Sequence, residues 1–267
     1  MQTLQEITRN PLKEKLSRGE VAVSMIVRMA RGPEIGRIAA IAGFDTLYVD
    51  LEHSALSLET TAVICNAARE AGVVPLVRVP DTSPSTICRI LDAGAMGIVV
   101  PHVQSAENAR HAVACALYPP RGERSTSSGL AMLHYRNFPQ AEANAAINKS
   151  VFIAVMIESR AALECIEEIA AVPGIDMLFV GAGDLSADLG LPGQPTHPDV
   201  ADGISKVLHA ARKHGITAGL GGLAGRQTFL AEWMGKGVQF ISAGTDLGFL
   251  AKAATDSVES IRAACKP

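Results

Sequence analysis

Apolar residues are not spread evenly along this chain. Short, β-branched runs alternate with longer alanine-rich stretches in which apolar positions recur at helical spacing. The runs are Val21–Arg28, Thr46–Glu52, Val74–Val79, Gly97–Pro101, Val151–Glu158, Met177–Gly181, Thr217–Gly222 and Phe240–Gly244. They are almost continuously apolar, as parallel strands are when both faces of the sheet are covered. The stretches between and after them predict helices over Glu34–Ala42, Leu58–Ala71, Ser83–Ala93, Ala106–Ala116, Arg160–Ala171, Asp199–His214, Arg226–Lys236 and Phe249–Ala264. Strict strand–helix alternation means βαβ units and an α/β fold. The repeat is about 30 residues, and the chain is near the ~250 residues of a (β/α)8 barrel. The prediction is therefore a single (β/α)8 TIM-barrel domain over residues 1–267, with an extra N-terminal helix before Gly19 covering the barrel bottom.

Glycines punctuate this pattern. Ala42-Gly43, Ala71-Gly72, Ala93-Gly94, His214-Gly215 and Lys236-Gly237 each place a glycine where a helix must end before the next strand. Two segments break the rhythm: Tyr118–Asn148 and the proline- and glycine-rich Ser186–Pro198. Long loops in compact domains tend to be functional. Both are expected to follow strands and so to lie on the catalytic face.

Composition narrows the picture. The chain is 48% hydrophobic but only 4% aromatic, which predicts a core of Ala, Val, Ile and Leu. A net charge of −3 without charge runs offers no footprint for nucleic acid. No apolar stretch reaches the ~18 residues of a membrane span, and residues 1–15 lack a signal-peptide core. Cys65, Cys88, Cys115, Cys165 and Cys265 form no C-x-x-C pair. Reduced thiols in a cytoplasmic protein are expected.

Polar residues gather at the strand ends, where a barrel places its chemistry. Strand two ends in Asp50-Leu51-Glu52-His53, strand three in Arg78, strand four in His102, strand five in Glu158, strand six in Gly183-Asp184 and strand eight in Asp246. Glu158 and Asp184 are hard oxygen donors on adjacent strands and suit Mg2+ or Mn2+. The alternative for each is an ion pair with an arginine. Arg78 suits a carboxylate or a developing enolate, or else a structural pair with Glu158 or Glu52. His53, close to acids, is a candidate base, or a hydrogen-bonded loop histidine. His102 is a candidate substrate contact. Arg121 and Arg124 could hold a distal carboxylate, or belong to a solvated turn. A Schiff base needs a buried lysine facing the site. Lys13, Lys15, Lys149, Lys206, Lys213, Lys236, Lys252 and Lys266 all fall in helices, termini or the wrong strand end, so metal-assisted enolisation is favoured.

The segments Phe44–His53, Val77–Pro80, Leu91–Ala95, Tyr118–Arg124, Ile157-Glu158 and Val180–Ser186 together resemble the HpcH/HpaI class II aldolases, collinearly over about residues 10 to 260. That family includes 4-hydroxy-2-oxoheptanedioate, 2-keto-3-deoxy-L-rhamnonate and 2-dehydro-3-deoxyglucarate aldolases. The resemblance implies a metal-dependent barrel that cleaves 4-hydroxy-2-oxo acids to pyruvate and an aldehyde. It implies a divalent cation (Mg2+, Mn2+ or Co2+) on Glu158 and Asp184, chelated by the 2-oxo acid beside Gly183. It assigns Arg78 to the enolate, His53 with Asp50 to a proton relay, and Asp92 to the relay of a neighbouring subunit in a homohexamer built from trimers. The sequence departs from the family at Met156, where Gln is usual, at Ala182, and at Ser54–Ser57; these positions bear on acceptor specificity. Rival readings are an oxaloacetate decarboxylase, a CoA-ester lyase or a non-catalytic barrel.

Overall fold

The computed structural model describes residues 2–265. Eight strands close into one parallel barrel in sequence order: β1 Ala22–Val27, β2 Thr46–Asp50, β3 Val74–Arg78, β4 Gly97–Val100, β5 Phe152–Ile157, β6 Met177–Gly181, β7 Thr217–Gly221 and β8 Phe240–Thr245. Every predicted strand is present. Each neighbouring pair is parallel, and β1 closes on β8 through a register shift at Ser24/Met25.

The helices, in chain order, are α1 Leu4–Ile7, α2 Pro11–Ser17, α3 Glu34–Ala42, α4 Leu58–Glu70, α5 Pro84–Asp92, α6 Ala106–Ala116, α7 Gln140–Ser150, α8 Arg160–Glu164, α9 Ile166–Ala170, α10 Ala182–Asp188, α11 Pro198–His214, α12 Gln227–Gly235 and α13 Asp246–Ala264. The predicted helix over Arg160–Ala171 is broken at Cys165 into α8 and α9. Side-chain caps explain several starts: Ser57, Ser83, Ser105 and Ser159 each accept from a backbone N–H in the first turn. The predicted glycine stops hold. Gly43 and Gly215 adopt left-handed backbones, with φ of 85° and 66°, and close α3 and α11. The N-terminal helix is two pieces. Leu12 and Leu16 of α2 enter the barrel's lower end, while Lys13 and Lys15 pair with Asp176 and Asp45.

There are two hydrophobic layers. The outer one, between strands and helices, is mainly aliphatic as expected, with Tyr118 and Trp233 buried in it. The inner one is not. Tyr48, Phe152, Phe179 and Phe240 fill the barrel with Met96, Met156 and Met177. Four of the chain's eleven aromatics lie there, where large side chains fill the space that a ring of strands encloses. Phe179 packs edge-on to Tyr48 and Phe240, at centroid distances of 5.9 and 5.7 Å. Gly219 and Gly221 make room for it: a Cβ on Gly221 would lie 2.6 Å from the Phe179 ring.

One placement is corrected. Tyr118–Asn148 lies on the bottom of the barrel, because α6 intervenes after β4 and carries the chain back down before β5 begins. Arg136 donates to the Gln2 carbonyl and Arg69 to those of Ala131 and Met132, which ties this segment to α1 and the end of α4. Only Ser186–Pro198 follows its strand, through the short α10, on the mouth side.

Candidate active site

The C-terminal ends of the strands surround a cavity of about 550 Å3. Tyr48, Met156 and Phe179 form its floor. Arg28, His53, Arg78, Asp184 and a series of glycines, including Gly181, Gly183 and Gly222, line its walls.

Asp50 is fully buried at the end of β2. Register sets it beside Arg78 on β3. Arg78 grips it with Nε to Oδ1 at 2.9 Å and Nη2 to Oδ2 at 2.6 Å. Arg28 adds an Nε contact to Oδ2 at 2.6 Å, and the backbone N–H groups of Glu52 and His53 donate to Oδ1. Burial pushes the Asp50 carboxyl up, but Arg78's hydrogen bonds and charge, His53's N–H and Arg28 outweigh it and leave Asp50 below the ordinary aspartate range. The third nitrogen of Arg78, Nη1, lies 2.8 Å from Glu52. Desolvation opposes the Arg78 charge, but the Asp50 hydrogen bonds and surrounding anions raise its pKa further above the ordinary value. Its guanidinium is therefore a fixed cation, held 5.6 Å from the centre of the Tyr48 ring.

Glu158 follows β5 and is buried. Its Oε1 accepts the His102 N–H at 2.7 Å and lies 3.0 Å from His102 Nδ1. Its Oε2 is buried without a hydrogen-bond partner and faces Gly181, where a Cβ would sit 2.7 Å away. Burial first, then the charges of Asp184 and Glu52, raise the Glu158 carboxyl above its usual value, against the pull of His102. Asp184, in the first turn of α10, is exposed at the cavity wall. Gly183 is exposed beside it, with nothing within 4 Å of where a Cβ would stand. His102 has a left-handed backbone, φ 55°, and spans from Glu158 to Glu52, with Nε2 at 2.7 Å from Glu52 Oε1.

These residues fit a hard divalent cation. A buried carboxylate oxygen without a donor next to a second, open carboxylate is an oxygen-only set of the kind Mg2+ or Mn2+ takes, with remaining positions for water and substrate. Among the described residues no group of three or more His, Cys, Asp and Glu encloses a metal.

The profile of the HpcH/HpaI aldolase/citrate lyase family matches residues 24–253. The chain belongs to that family. It is 38% identical over 256 residues to a 4-hydroxy-4-methyl-2-oxoglutarate aldolase of Chaetomium globosum, covering 94% of this chain and 95% of the relative. It is 34% identical to a pyruvate aldolase of Rhizobium etli, covering 92% and 95%. Among solved structures, an HpcH/HpaI aldolase from Desulfitobacterium hafniense superposes with a TM-score of 0.90 at 35% identity, covering 96% and 97%.

In this HpcH/HpaI barrel the strand-end residues Asp50, His53, Arg78, Glu158 and Asp184 gather at one mouth. Asp92 and Arg124 do not line the cavity. Asp92 ends α5 and accepts from Arg124 Nη2 at 2.6 Å. Arg124 is buried against the Tyr118 ring, with Nε and Nη1 unpartnered. Arg121 bonds the Asn148 carbonyl. The Asp50 carboxylate meets His53 through the backbone N–H, not the imidazole, whose Nε2 lies 3.8 Å from Glu52. Lys252 lines the cavity rim but is exposed and paired with Asp256 at 2.8 Å, unlike a buried imine-forming lysine. Lys266 is outside the described residues. Cys65 is buried and its thiol is pushed up to about 12, which suits packing rather than nucleophilic attack.

One participant has no counterpart among the sequence-derived candidates, and one strand-end residue, Asp246, is given no role there. Arg28, at the end of β1, obeys the same strand-end rule as the others. Asp246 is a structural clamp: its carboxylate accepts the successive N–H groups of Arg28, Met29 and Ala30.

Proposed function

We propose that the chain is a divalent-metal-dependent aldolase that cleaves 4-hydroxy-2-oxo acids to pyruvate and a carbonyl acceptor, and condenses them in reverse. The observation that carries this reading is the donorless buried Oε2 of Glu158, which faces Gly181 of the cavity lining, where Asp184 and the fixed Arg78 cation also stand. Glu158 and Asp184 would hold Mg2+, Mn2+ or Co2+. When bound, such a cation supplies Lewis-acid polarisation of the 2-oxo group. Gly183, lacking a side chain, lets the 2-oxo acid approach the wall beside Asp184. Arg78 binds the negative charge that develops on the 2-oxo acid fragment; Asp50 and Glu52 hold it in place beforehand, so little reorganisation accompanies the reaction. His53, half-exposed at the mouth, takes the proton of the C4 hydroxyl through water. The C3–C4 bond then breaks, its electron pair passes into the 2-oxo acid fragment, and the acceptor leaves as a carbonyl compound. A proton delivered to C3 completes pyruvate.

We place the chain in a homo-oligomer. Every residue of α13 after Asp246 is exposed, including Leu247, Phe249, Leu250, Val258 and Ile261, and an apolar helix of this length calls for a packing partner. Ile38 and Ile41 of α3 are exposed as well. Asp92, pinned by Arg124 outside its own cavity, is then available to the mouth of another copy. Among the described residues no helix is long and apolar enough to cross a bilayer.

Calorimetric titration of chelator-stripped protein with Mn2+ tests the site directly. The expected result is one cation per chain, with affinity falling at least tenfold in Glu158→Gln and Asp184→Asn (about 1.4 kcal/mol or more). Equal affinity in all three proteins would place the cation elsewhere.

A further inference from the structure

The two poles of the mouth differ in chemistry. In a closed ring of eight strands in sequence order, β1 stands opposite β5. The carboxylate pole, Glu158 and Asp184, lies at the ends of β5 and β6. Arg28 lies at the end of β1. A substrate whose 2-oxo acid end is held at the carboxylate pole must extend its other half across the floor of Tyr48, Met156 and Phe179, toward Arg28.

Three cationic side chains, Arg28, Arg78 and Lys252, line this cavity. Arg78 is committed to Asp50 and Glu52, and Lys252 to Asp256. Arg28 is different. Arg78 already takes both oxygens of Asp50, so Arg28 reaches that carboxylate only side-on, through Nε. Its two Nη groups have no hydrogen-bond or ion-pair partner among the described residues, and its side chain keeps 35% of its exposure. It is also held in place from behind. Asp246 fixes the backbone of residues 28–30 with three N–H bonds of 2.7–3.0 Å. A guanidinium anchored at Nε, with an open pair of Nη groups facing a cavity, is a pre-organised receptor for a carboxylate.

Resting on the aldolase reading above, we infer that Arg28 is a specificity-determining residue that binds a carboxylate on the acceptor half of the substrate. The favoured acceptor is thus a carbonyl compound carrying its own carboxylate, an oxo acid rather than a neutral sugar-type aldehyde. The full substrate is a 4-hydroxy-2-oxo dicarboxylate. Its first carboxylate belongs to the Glu158–Asp184 pole, and its second belongs to Arg28. Of the floor residues only Tyr48 carries a donor, and its hydroxyl points at Met156 Sδ, 3.6 Å away; Ser242, Thr245 and Gln227 are uncharged members of the same lining and offer no counter-charge to a carboxylate.

The test pairs two acceptors of similar size, glyoxylate and glycolaldehyde, each condensed with pyruvate by wild type, Arg28→Met and Arg28→Lys in the presence of Mn2+. Wild type is expected to favour glyoxylate in kcat/KM. Arg28→Met is expected to lower the glyoxylate-to-glycolaldehyde ratio by about 10- to 100-fold, the effect of losing a hydrogen bond to a charged group, chiefly through KM for glyoxylate. Arg28→Lys, which keeps the charge without the fork and serves if the methionine variant fails to fold, is expected to lie between. Deuterium exchange at C3 of pyruvate in wild type reports the donor half alone. Exchange with an unchanged acceptor ratio in both variants would overturn the assignment of Arg28 and leave the aldolase reading standing. An equal loss for both acceptors would show that Arg28 acts through Asp50, and would overturn it too. Absence of exchange in wild type would overturn the aldolase reading and, with it, this inference.

Discussion

A carboxylate with no exposed surface must be matched by donors, and Asp50 meets two arginines and two backbone N–H groups. Its carboxyl is held below the ordinary aspartate range, so the linkage to stability has a definite sign. The stabilisation is complete above the ordinary aspartate value and is lost as pH falls through the lowered folded value. Asp50→Asn leaves Arg78 and Arg28 short of their counter-charge inside the barrel mouth, and breaking such a buried pair costs about 3–5 kcal/mol. Urea denaturation of wild type and Asp50→Asn should show this gap at neutral pH, narrowing below about pH 4 as the unfolded chain's Asp50 takes up a proton that the folded carboxylate still resists. A gap that stays constant down to about pH 3 would mean that Asp50 is not the charge anchoring the two arginines. The D-x-E-H spacing made Asp50 and His53 visible in the sequence, because strand ends converge in a barrel. Spacing carries no information about partners across strands. Which neighbour Asp50 grips is set by the β2–β3 register, and that register puts Arg78 beside it.

At the scale of elements, strands were legible because burial on both faces forces continuous apolar runs, and helix ends because glycine supplies left-handed stops. Two features were not. Composition could not show that four of the aromatics, Tyr48, Phe152, Phe179 and Phe240, would fill the inside of the barrel. The segment from Tyr118 was misplaced because its connection type depends on counting α6 before it. The least buried element, α13, has an equally physical reading: a 19-residue helix whose apolar residues face water is incomplete alone. Light scattering on the purified protein should give an oligomer. Leu250→Asp combined with Ile261→Asp should shift it toward monomer without loss of the barrel's circular dichroism signal. An unchanged mass in the double variant would show that α13 is not the assembling surface.

Across the whole molecule, the barrel separates its tasks. α2 and the segment from Tyr118 close the bottom with the ion pairs Lys13–Asp176 and Lys15–Asp45, aromatic and methionine side chains fill the middle, and the candidate chemistry gathers at the mouth. That polarity follows from parallel strands, which bring all eight C-terminal ends to one side. It lets two unlike poles, the carboxylates after β5 and β6 and the arginine after β1, face each other over an apolar floor. The central claim is that C–C cleavage depends on a divalent cation held by Glu158. The direct measurement is pyruvate release from a 4-hydroxy-2-oxo acid by chelator-stripped protein, before and after adding Mg2+, Mn2+ or Co2+, in wild type and Glu158→Gln. The account predicts release that returns only with the cation, and a fall of at least ~100-fold in the variant (about 2.7 kcal/mol of barrel-mouth stabilisation). Release at full rate from thoroughly stripped wild-type protein, or from Glu158→Gln, would contradict it.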